Sequence, residues 1–272
     1  MSAKKLRIDT LLVERGLVES RAQAQRLVMA GQVRADGQVV AKPASMVTAD
    51  ASLEIVQGPR YVSRGGEKLE AALEAFQVQV GGRTCADVGA STGGFTDCLL
   101  QHGAARVYAI DVGRGILHWK LRQDRRVVVK EDTNARYLQR LPEPVEVITI
   151  DASFISLKIL LPVIKGWFGE RGGEAIVLIK PQFEAGRSHT ARGEGVIRDP
   201  EIHRQVLQDL LEFAQLETYA VRGLIRSPLL GPKGNAEFLA HLVFPADSSK
   251  TLDEIIQDVV PISERNTDAH IV

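Results

Sequence analysis

From about residue 67 to residue 200, short apolar runs alternate with segments in which apolar residues return every three or four positions. The runs have the length of buried strands, and the spacing between them is that of amphipathic helices. Strands that alternate with helices are typical of a mainly parallel, doubly wound α/β sheet. We predict strands over residues 84–88, 106–110, 127–129, 145–150, 175–179, 217–225 and 237–244.

The first 60 residues follow a different pattern, which we interpret as a small α+β module. We predict one helix over 7–16, with Asp9 or Thr10 as its N-cap, and a second helix from Ser20 to Gly31. Residues 33–40 are typical of a hairpin with an Asp-Gly turn, and a short strand follows at 53–56.

The domain organisation expected from these patterns has four parts. Residues 1–60 form the small module, 61–66 a linker by composition, and 67–245 the large domain, whose first helix we expect from 67 to about 76. Residues 246–272 form an acidic tail with one possible amphipathic turn at 252–259. The stretch from 181 to 198 is polar and rich in glycine, which is typical of a functional loop.

Composition narrows the class of protein. The chain has 272 residues, 44% of them hydrophobic, which is ample for a core. It has no apolar stretch of ~20 residues and no signal-peptide pattern at its start, so we expect a cytoplasmic protein with no membrane contact. Its two cysteines, Cys85 and Cys98, fall in a predicted strand and helix and are interpreted as core residues, so neither a disulfide framework nor a metal site is expected.

The net charge is zero, but the charge is unevenly distributed. Residues 1–68 carry 11 Lys or Arg against 7 Asp or Glu, whereas residues 246–272 carry 2 basic against 6 acidic residues. Attraction to a polyanion would therefore come mainly from the front of the chain. A surplus of four charges does not identify nucleic acid by itself.

The most informative stretch covers residues 87–97, Asp-Val-Gly-Ala-Ser-Thr-Gly-Gly-Phe-Thr-Asp. A strand, a tight turn and a helix N-terminus follow one another, an arrangement that holds polar ligands. The turn departs from the dinucleotide-binding fingerprint, because Ser91 stands where the middle glycine would be. The carboxylate of Asp87 would repel a pyrophosphate. It suits the ammonium end of S-adenosyl-L-methionine, directly or through water. An ordinary strand-to-helix turn is the alternative. The expected cofactor contacts in this turn are Asp87, Gly89, Ala90, Ser91, Gly93, Gly94 and Phe95.

Two further acids follow the next two predicted strands. Asp111 is placed to bind the two hydroxyls of a ribose, and Asp132 could meet an adenine amino group. Acids also cap strand ends and begin helices for structural reasons. Because three successive strands end in acid at one sheet edge, we favour a cofactor site there.

Four more charged residues occupy positions at or near element ends. Asp151 and Lys180 end two predicted strands, Glu237 begins the last one, and Lys68 lies in the helix before the sheet. Pro181 prevents the strand ladder from continuing past Lys180. Each residue taken alone could equally be a surface charge or part of an ion pair.

The front module resembles the S-four-type RNA-binding domain. The matching residues are Arg7-Ile8-Asp9, Ser20 to Ala24 and Gly31 to Gly37. The resemblance favours RNA binding over an ordinary solvated helix pair. The candidate RNA contacts are Arg7, Arg15, Arg21, Arg26, Arg34 and Lys42, with Arg64 beyond the module.

Six segments in order resemble the TlyA proteins, which are ribosomal RNA 2′-O-methyltransferases with an FtsJ-like catalytic domain. These segments are residues 63–69, 87–95, 151–157, 180–184, 195–200 and 231–238, and the likeness spans roughly residues 5–245. It implies a Rossmann-like methyltransferase sheet, S-adenosylmethionine as cofactor, and a catalytic tetrad at Lys68, Asp151, Lys180 and Glu237. Asp151 is also expected to contact the cofactor.

The family likeness predicts methylation of a ribose, that of a cytidine, in ribosomal RNA or a ribosomal subunit. The chemistry expected of the four charged residues requires no metal, and we treat the chain as a monomer by default. Lys180 would either accept the hydroxyl proton or stay charged and stabilise the alkoxide. The alternatives are an RNA-binding module without turnover, a methyltransferase for protein or small molecules, and a membrane-active haemolysin, a name carried by some relatives. The absence of an amphipathic membrane segment argues against the last.

Overall fold

The structure is a computed structural model that describes residues 4–56, 58–185, 195–246 and 251–260. The chain divides into two units, Met1–Arg60 and Tyr61–Val272, which are called the small unit and the large unit below.

The small unit packs two helices on short strands. Its elements are β1 (Lys5–Arg7), α1 (Ile8–Glu14), α2 (Arg21–Met29), β2 (Val33–Ala35), β3 (Gln38–Val39), β4 (Met46–Thr48) and β5 (Leu53–Ile55). Strands β3, β2 and β5 form one antiparallel sheet, and β1 pairs with β4 in another. Asp36 and Gly37 both have positive φ, as the predicted two-residue hairpin turn requires. The pair β1–β4 was not predicted, because three-residue strands show too little alternation to be recognised.

The start of α1 differs from the prediction. Asp9 does not cap the helix; it lies in the first turn, and its side chain is fully buried. Arg7 occupies the N-cap position, but its side chain does not accept the hydrogen bond from the first turn that a capping side chain would accept. The Asp9 carboxylate accepts hydrogen bonds from Arg7 (3.0 and 2.9 Å), Arg21 (3.0 Å) and Gln25 (3.1 Å). These partners hold the pKa of Asp9 well below its usual range, so the buried carboxyl stays charged. Ser20 caps α2 as predicted, accepting a hydrogen bond from the Gln23 N–H.

The large unit alternates strands and helices. Its elements are α3 (Gly65–Phe76), β6 (Thr84–Val88), α4 (Gly94–Gln101), β7 (Arg106–Ile110), α5 (Trp119–Arg122), β8 (Val127–Lys130), β9 (Val147–Ile150), α6 (Leu157–Ile164), β10 (Gly173–Ile179), α7 (Pro181–Glu184), α8 (Pro200–Leu216), β11 (Ala220–Arg226), β12 (Phe238–Phe244) and α9 (Leu252–Val259). Single 3-10 turns lie at Ala135–Tyr137, Lys165–Trp167 and Pro232–Gly234.

One seven-stranded sheet organises these elements, in the order β11-β12-β10-β9-β6-β7-β8. Strands β10, β9, β6, β7 and β8 pair in parallel, and β12 runs antiparallel to β10 and β11. Alternate residues of each strand enter two hydrophobic clusters, one on each face of the sheet. The Rossmann-like α/β class is thereby confirmed. The chain moves outward from β6 through β7 to β8 and then returns to β9, so the topological switch point lies between β6 and β9, where such sheets bind ligands.

One predicted boundary, that of the linker, is wrong. Residues 61–66 are not a linker: Tyr61 is 2% exposed in the core, α3 already begins at Gly65, and a Cβ on Gly66 would overlap the Tyr61 ring. Gly66 is therefore required for close packing against Tyr61 and does not indicate a flexible linker.

The predicted acidic tail also contains a folded element. Leu252, Ile255 and Ile256 of α9 are buried in the core cluster with α8 and β11, while residues 247–250 and 261–272 lie outside the described residues. None of the helices in the described ranges is both long and apolar enough to cross a bilayer.

Candidate active site

Two adjoining cavities open at the carboxyl ends of the parallel strands. The apolar cavity, of about 270 Å³, is lined mainly by residues from the ends of β6, β7, β8 and β9. The charged cavity, of about 280 Å³, is lined by the start of α3, the turn before α4, and five charged side chains, those of Arg64, Lys68, Asp151, Lys180 and Glu237. Gly89, Ser91 and Asp151 line both cavities, so the two meet at the switch point of the sheet.

The turn between β6 and α4 depends on its glycines. Gly89 has a φ of +83°, and a Cβ there would lie 2.6 Å from the backbone oxygen of Asp151. Gly93, the N-cap of α4, has a φ of +99°, and a Cβ there would overlap Leu121. The backbone after β6 therefore approaches the backbone after β9 more closely than a side chain at position 89 would allow.

Five residues of the predicted cofactor turn line one or both cavities, and two do not. Those that do are Gly89, Ala90, Ser91, Gly94 and Phe95. Gly93 lies behind the lining, against α5. Asp87, the residue expected at an ammonium group, is also outside the lining.

Asp87 is fully buried beneath the turn. Its carboxylate accepts hydrogen bonds from the hydroxyls of Thr96 (2.7 Å) and Thr149 (3.2 Å). Burial raises the pKa of Asp87 to about 7, the hydrogen bond from Thr96 opposes this, and the nearby charge of Asp151 adds to it. The structure therefore places Asp87 as a brace between β6, α4 and β9, beneath the turn and outside the lining of both cavities.

Of the other two acids expected at a cofactor, Asp111 lines a cavity and Asp132 does not. Asp111 lines the apolar cavity and accepts hydrogen bonds from the N–H groups of Ser91 (2.8 Å) and Gly113 (2.7 Å), one on each oxygen. Each oxygen keeps a lone pair for a further donor. Asp132 is exposed, pairs with Arg114 at 3.7 Å and is not part of the lining, which passes through residues 133–135 instead.

The four predicted tetrad residues come together in the charged cavity, as two ion pairs. In the first pair, Lys180 Nζ lies 2.6 Å from Asp151 Oδ1. Lys180 is 8% exposed and also donates to the Ala152 oxygen (3.2 Å) and the Ser153 hydroxyl (3.0 Å). These three acceptors match the three protons of an ammonium group.

In the second pair, Lys68 Nζ donates to Glu237 Oε2 at 2.6 Å. Glu237 is 1% exposed, and its other oxygen, Oε1, is buried and has no hydrogen-bond partner among the residues that the structure describes. A buried acceptor costs free energy unless a donor reaches it, so this oxygen marks a place for a donor from a bound molecule or water. Gly231 makes room for it, since a Cβ there would overlap Oε1.

The predicted RNA contacts fall into two groups. Arg7 and Arg21 are engaged by the buried Asp9, and Arg15 donates to the carbonyls of Ala51 and Ala49, both at 2.6 Å. The remaining three in the small unit are exposed: Arg26, Arg34 and Lys42. In the large unit, Arg64 is exposed and lines the charged cavity.

Sequence reasoning missed three residues that shape the site. Ser153 holds Lys180, and Glu184 joins α7 to the start of α6 by accepting from the Ser156 hydroxyl (2.6 Å) and the Leu157 N–H (2.8 Å). Glu131 accepts from three backbone N–H groups of the loop after β7. The acidic pair 131–132 was the available signal for Glu131, but the pattern does not indicate which of the two points inward.

The lining of the apolar cavity fits an adenosine-like group. Val88, Ile110, Val112 and Ile116 provide apolar contacts, and Asp111 provides an acceptor at the rim of the same space. A metal ion has no comparable site, because the described residues contain no group of three His, Cys, Asp or Glu able to hold one.

Comparison with known proteins gives two domain matches. The FtsJ-like methyltransferase model matches residues 61–244, and the S4 domain model matches residues 6–53.

Full-length relatives match both parts together. The protein named "16S/23S rRNA (cytidine-2'-O)-methyltransferase TlyA" of Mycobacterium tuberculosis is 44% identical over 266 residues, 95% of this chain and 98% of the relative. "Hemolysin A" of Brachyspira hyodysenteriae is 42% identical over 245 residues, 88% of this chain and all of the relative. A solved structure described as "Putative hemolysin from Streptococcus thermophilus" superposes with a TM-score of 0.69 at 42% identity, covering 94% of this chain and 96% of that one.

Proposed function

This chain belongs to the FtsJ-like methyltransferase family, with an S4 domain in front, and we propose that it methylates the 2′-hydroxyl of a cytidine in ribosomal RNA with S-adenosylmethionine. The observation that carries the proposal is the convergence of the pairs Lys68–Glu237 and Lys180–Asp151 on one cavity that adjoins a second, apolar one. The TlyA relative from Mycobacterium tuberculosis is named for this reaction.

The apolar cavity would hold the cofactor. Its aliphatic residues would contact the adenine, and Asp111 would accept hydrogen bonds from the ribose hydroxyls. The glycine turn and the N-terminus of α4 would face the amino-acid end of the cofactor, where close backbone approach is possible only without side chains. When bound, S-adenosylmethionine supplies an electrophilic methyl group. Asp151, which lines both cavities, marks where that group would meet the acceptor.

The charged cavity would hold the acceptor ribose. Lys180 is held by three acceptors in the geometry of an ammonium group, so we infer that it stabilises the negative charge that develops on the ribose oxygen. Oε1 of Glu237 is the acceptor open to the hydroxyl proton, and Lys68 keeps the other oxygen of that carboxylate in place. A hydroxyl oriented in this way reaches attack geometry without the loss of entropy that a free encounter costs.

The S4 domain in the small unit would supply much of the affinity for RNA. Arg26, Arg34 and Lys42 are exposed and available for phosphate contacts, and Arg64 lies at the charged cavity itself. We place the activity in the cytoplasm, where the buried thiols of Cys85 and Cys98 stay reduced, and we take the chain to act as a monomer that uses no metal.

The test is methyl transfer from tritiated S-adenosylmethionine to isolated ribosomal subunits that lack their 2′-O-methyl groups. We expect label in ribose, reduced by about 10² to 10⁴ in Lys180→Ala. The matched control is Lys165→Ala, which removes a lysine that pairs with Glu217 outside both cavities and should leave the rate unchanged. Both subunits are assayed separately, so the labelled one identifies the substrate.

Failure to label either subunit, in a preparation that binds the cofactor and RNA, would contradict the ribosomal assignment and favour an RNA-binding module. Label in a base or in protein would contradict the role given to the charged cavity.

A further inference from the structure

Three successive N–H groups in the loop between β7 and α5 donate to one carboxylate, that of Glu131. Glu131, the first residue after β8, accepts hydrogen bonds from the N–H groups of Gly115 (2.8 Å), Ile116 (3.2 Å) and Leu117 (3.3 Å). Its side chain also pairs with Arg122. Residues 113–118 form neither helix nor strand, so Glu131 takes the place of the backbone acceptors that a ladder would provide.

Arg122 secures the far end of the same loop. Its Nε donates to the Leu117 carbonyl at 2.9 Å, while its guanidinium pairs with Glu131. Arg122 and the N–H groups of Gly115 and Leu117 lower the pKa of Glu131 to about 2, so the carboxylate is charged at every pH used for an assay.

The loop that Glu131 holds forms one side of the apolar cavity. Val112 and Ile116 line that cavity although both are largely exposed. Partly exposed apolar side chains at a cavity rim are not held by packing, so their positions depend on the backbone that carries them.

The same loop also supports the glycine turn. Leu117 contacts the position where Gly93 has no side chain, and the His118 N–H donates to the Thr92 carbonyl at 3.1 Å. A change in the loop would therefore reach both the adenosine side and the turn side of the proposed cofactor site.

We propose that Glu131 is a positioning residue for cofactor binding: it holds residues 112–118 in the conformation that closes the apolar cavity and supports the glycine turn. This inference rests on the proposed function, because it assigns that cavity to S-adenosylmethionine. Glu131 does not line the cavity itself and acts only through the loop.

The experiment compares Glu131→Ala and Glu131→Gln with the wild-type chain by calorimetric titration of S-adenosylmethionine and by hydrogen exchange of the loop amides. If the competent loop conformation falls to about a tenth of the population, the apparent Kd rises about tenfold. We expect at least that rise for Glu131→Ala and a smaller rise for Glu131→Gln, which keeps one carbonyl acceptor. The amides of residues 115–117 should exchange faster in both variants without cofactor.

Kinetics and a matched control variant distinguish a role of Glu131 in cofactor binding from a general role in the stability of the fold. In methyl-transfer assays KM for the cofactor should rise, while kcat at saturating cofactor and KM for RNA stay within about twofold. The control is Glu143→Ala, which removes the carboxylate paired with Arg106 (2.7 Å) and Tyr108 (2.9 Å), outside both cavities. It should change none of these quantities. If Glu131→Ala does not fold, Glu131→Gln carries the comparison.

Unchanged Kd and unchanged exchange in a folded Glu131 variant would overturn the inference while leaving the proposed function intact. A fall in kcat at unchanged Kd would also overturn it, because it would place Glu131 at the chemical step. Lack of cofactor binding by the wild-type chain would overturn both, since the cavity would then have another ligand.

Discussion

Replacing Asp87 by Asn should stabilise the large unit at neutral pH and leave it little changed in acid. Asp87 is fully buried, and its carboxylate accepts hydrogen bonds from the hydroxyls of Thr96 and Thr149 and from the backbone N–H of Thr96. Neither hydroxyl neutralises a charge. An asparagine has the same shape and no charge, and the two hydroxyls can rotate to suit its amide.

The magnitude follows from the raised pKa. Burial raises the pKa of Asp87 from 3.8 to about 7 in the folded chain. Between these two values the folded state holds a proton that the unfolded state has lost, so stability falls as pH rises, by about 1.4 kcal/mol per pH unit. Over the ~3 units of the window the loss approaches ~4 kcal/mol, an upper bound because a buried site can relax or admit water. The variant lacks this loss, so its advantage over the wild type should grow by up to that amount.

The assay is urea unfolding at pH 5, 6, 7 and 8, followed by tryptophan fluorescence. The chain has two tryptophans, Trp119 and Trp167, and both lie in the large unit, so the signal reports the unfolding of that unit. Asp124→Asn is the control. The pKa of Asp124 is lowered from 3.8 by its bond to Arg126, so Asp124 is ionised in both states above pH 5 and its removal should shift stability equally at every pH.

A stability difference between Asp87→Asn and the wild type that is constant from pH 5 to pH 8, within about 0.5 kcal/mol, would refute the reasoning. The carboxyl would then be ionised in the folded chain throughout, and the account of Asp87 as a buried brace without a counter-charge would be wrong. An advantage that shrinks with rising pH would have the opposite sign and refute it equally.

Three other substitutions test the site and the small unit. Gly89→Ala should weaken cofactor binding more than tenfold in titration calorimetry because its Cβ meets the backbone after β9, whereas Gly82→Ala, at a similar positive φ with open space, should not. Gly231→Ala should lower kcat about 10- to 100-fold with unchanged cofactor Kd, because its Cβ displaces the tetrad glutamate; an unchanged kcat would contradict this. Arg15→Met should lower the Tm of the small unit with little change in the salt dependence of RNA binding, whereas Arg26→Met should leave Tm unchanged and reduce the salt slope by about one.

Features with a local cause could be predicted from the sequence. The strands around the cofactor turn, the Ser20 cap and the Asp36–Gly37 hairpin each follow from a few neighbouring residues, and the structure has all of them. The Rossmann-like class also followed, since it depends on the order of elements and not on any single contact.

Features with a tertiary cause could not be predicted. Nothing near Asp9 in sequence shows that Arg21 and Gln25 will reach its carboxylate from another helix and turn a cap into a buried charge. The apolar stripe at 252–259 predicts an amphipathic turn, but it does not show that α9 buries this stripe in the core cluster with α8 and β11.

The glycines in and near the candidate site also show the difference between local and tertiary causes. Gly82, Gly89 and Gly231 all follow or precede turns, and composition does not distinguish them. In the structure Gly82 faces open space, Gly89 faces the backbone that carries Asp151, and Gly231 faces the open oxygen of Glu237. Two of the three thus set the positions of tetrad groups: Gly89 lies against Asp151, which is distant in sequence, and Gly231 lies against the nearby Glu237. The role of each glycine depends on which atoms a Cβ at that position would contact, and only the assembled sheet determines those neighbours.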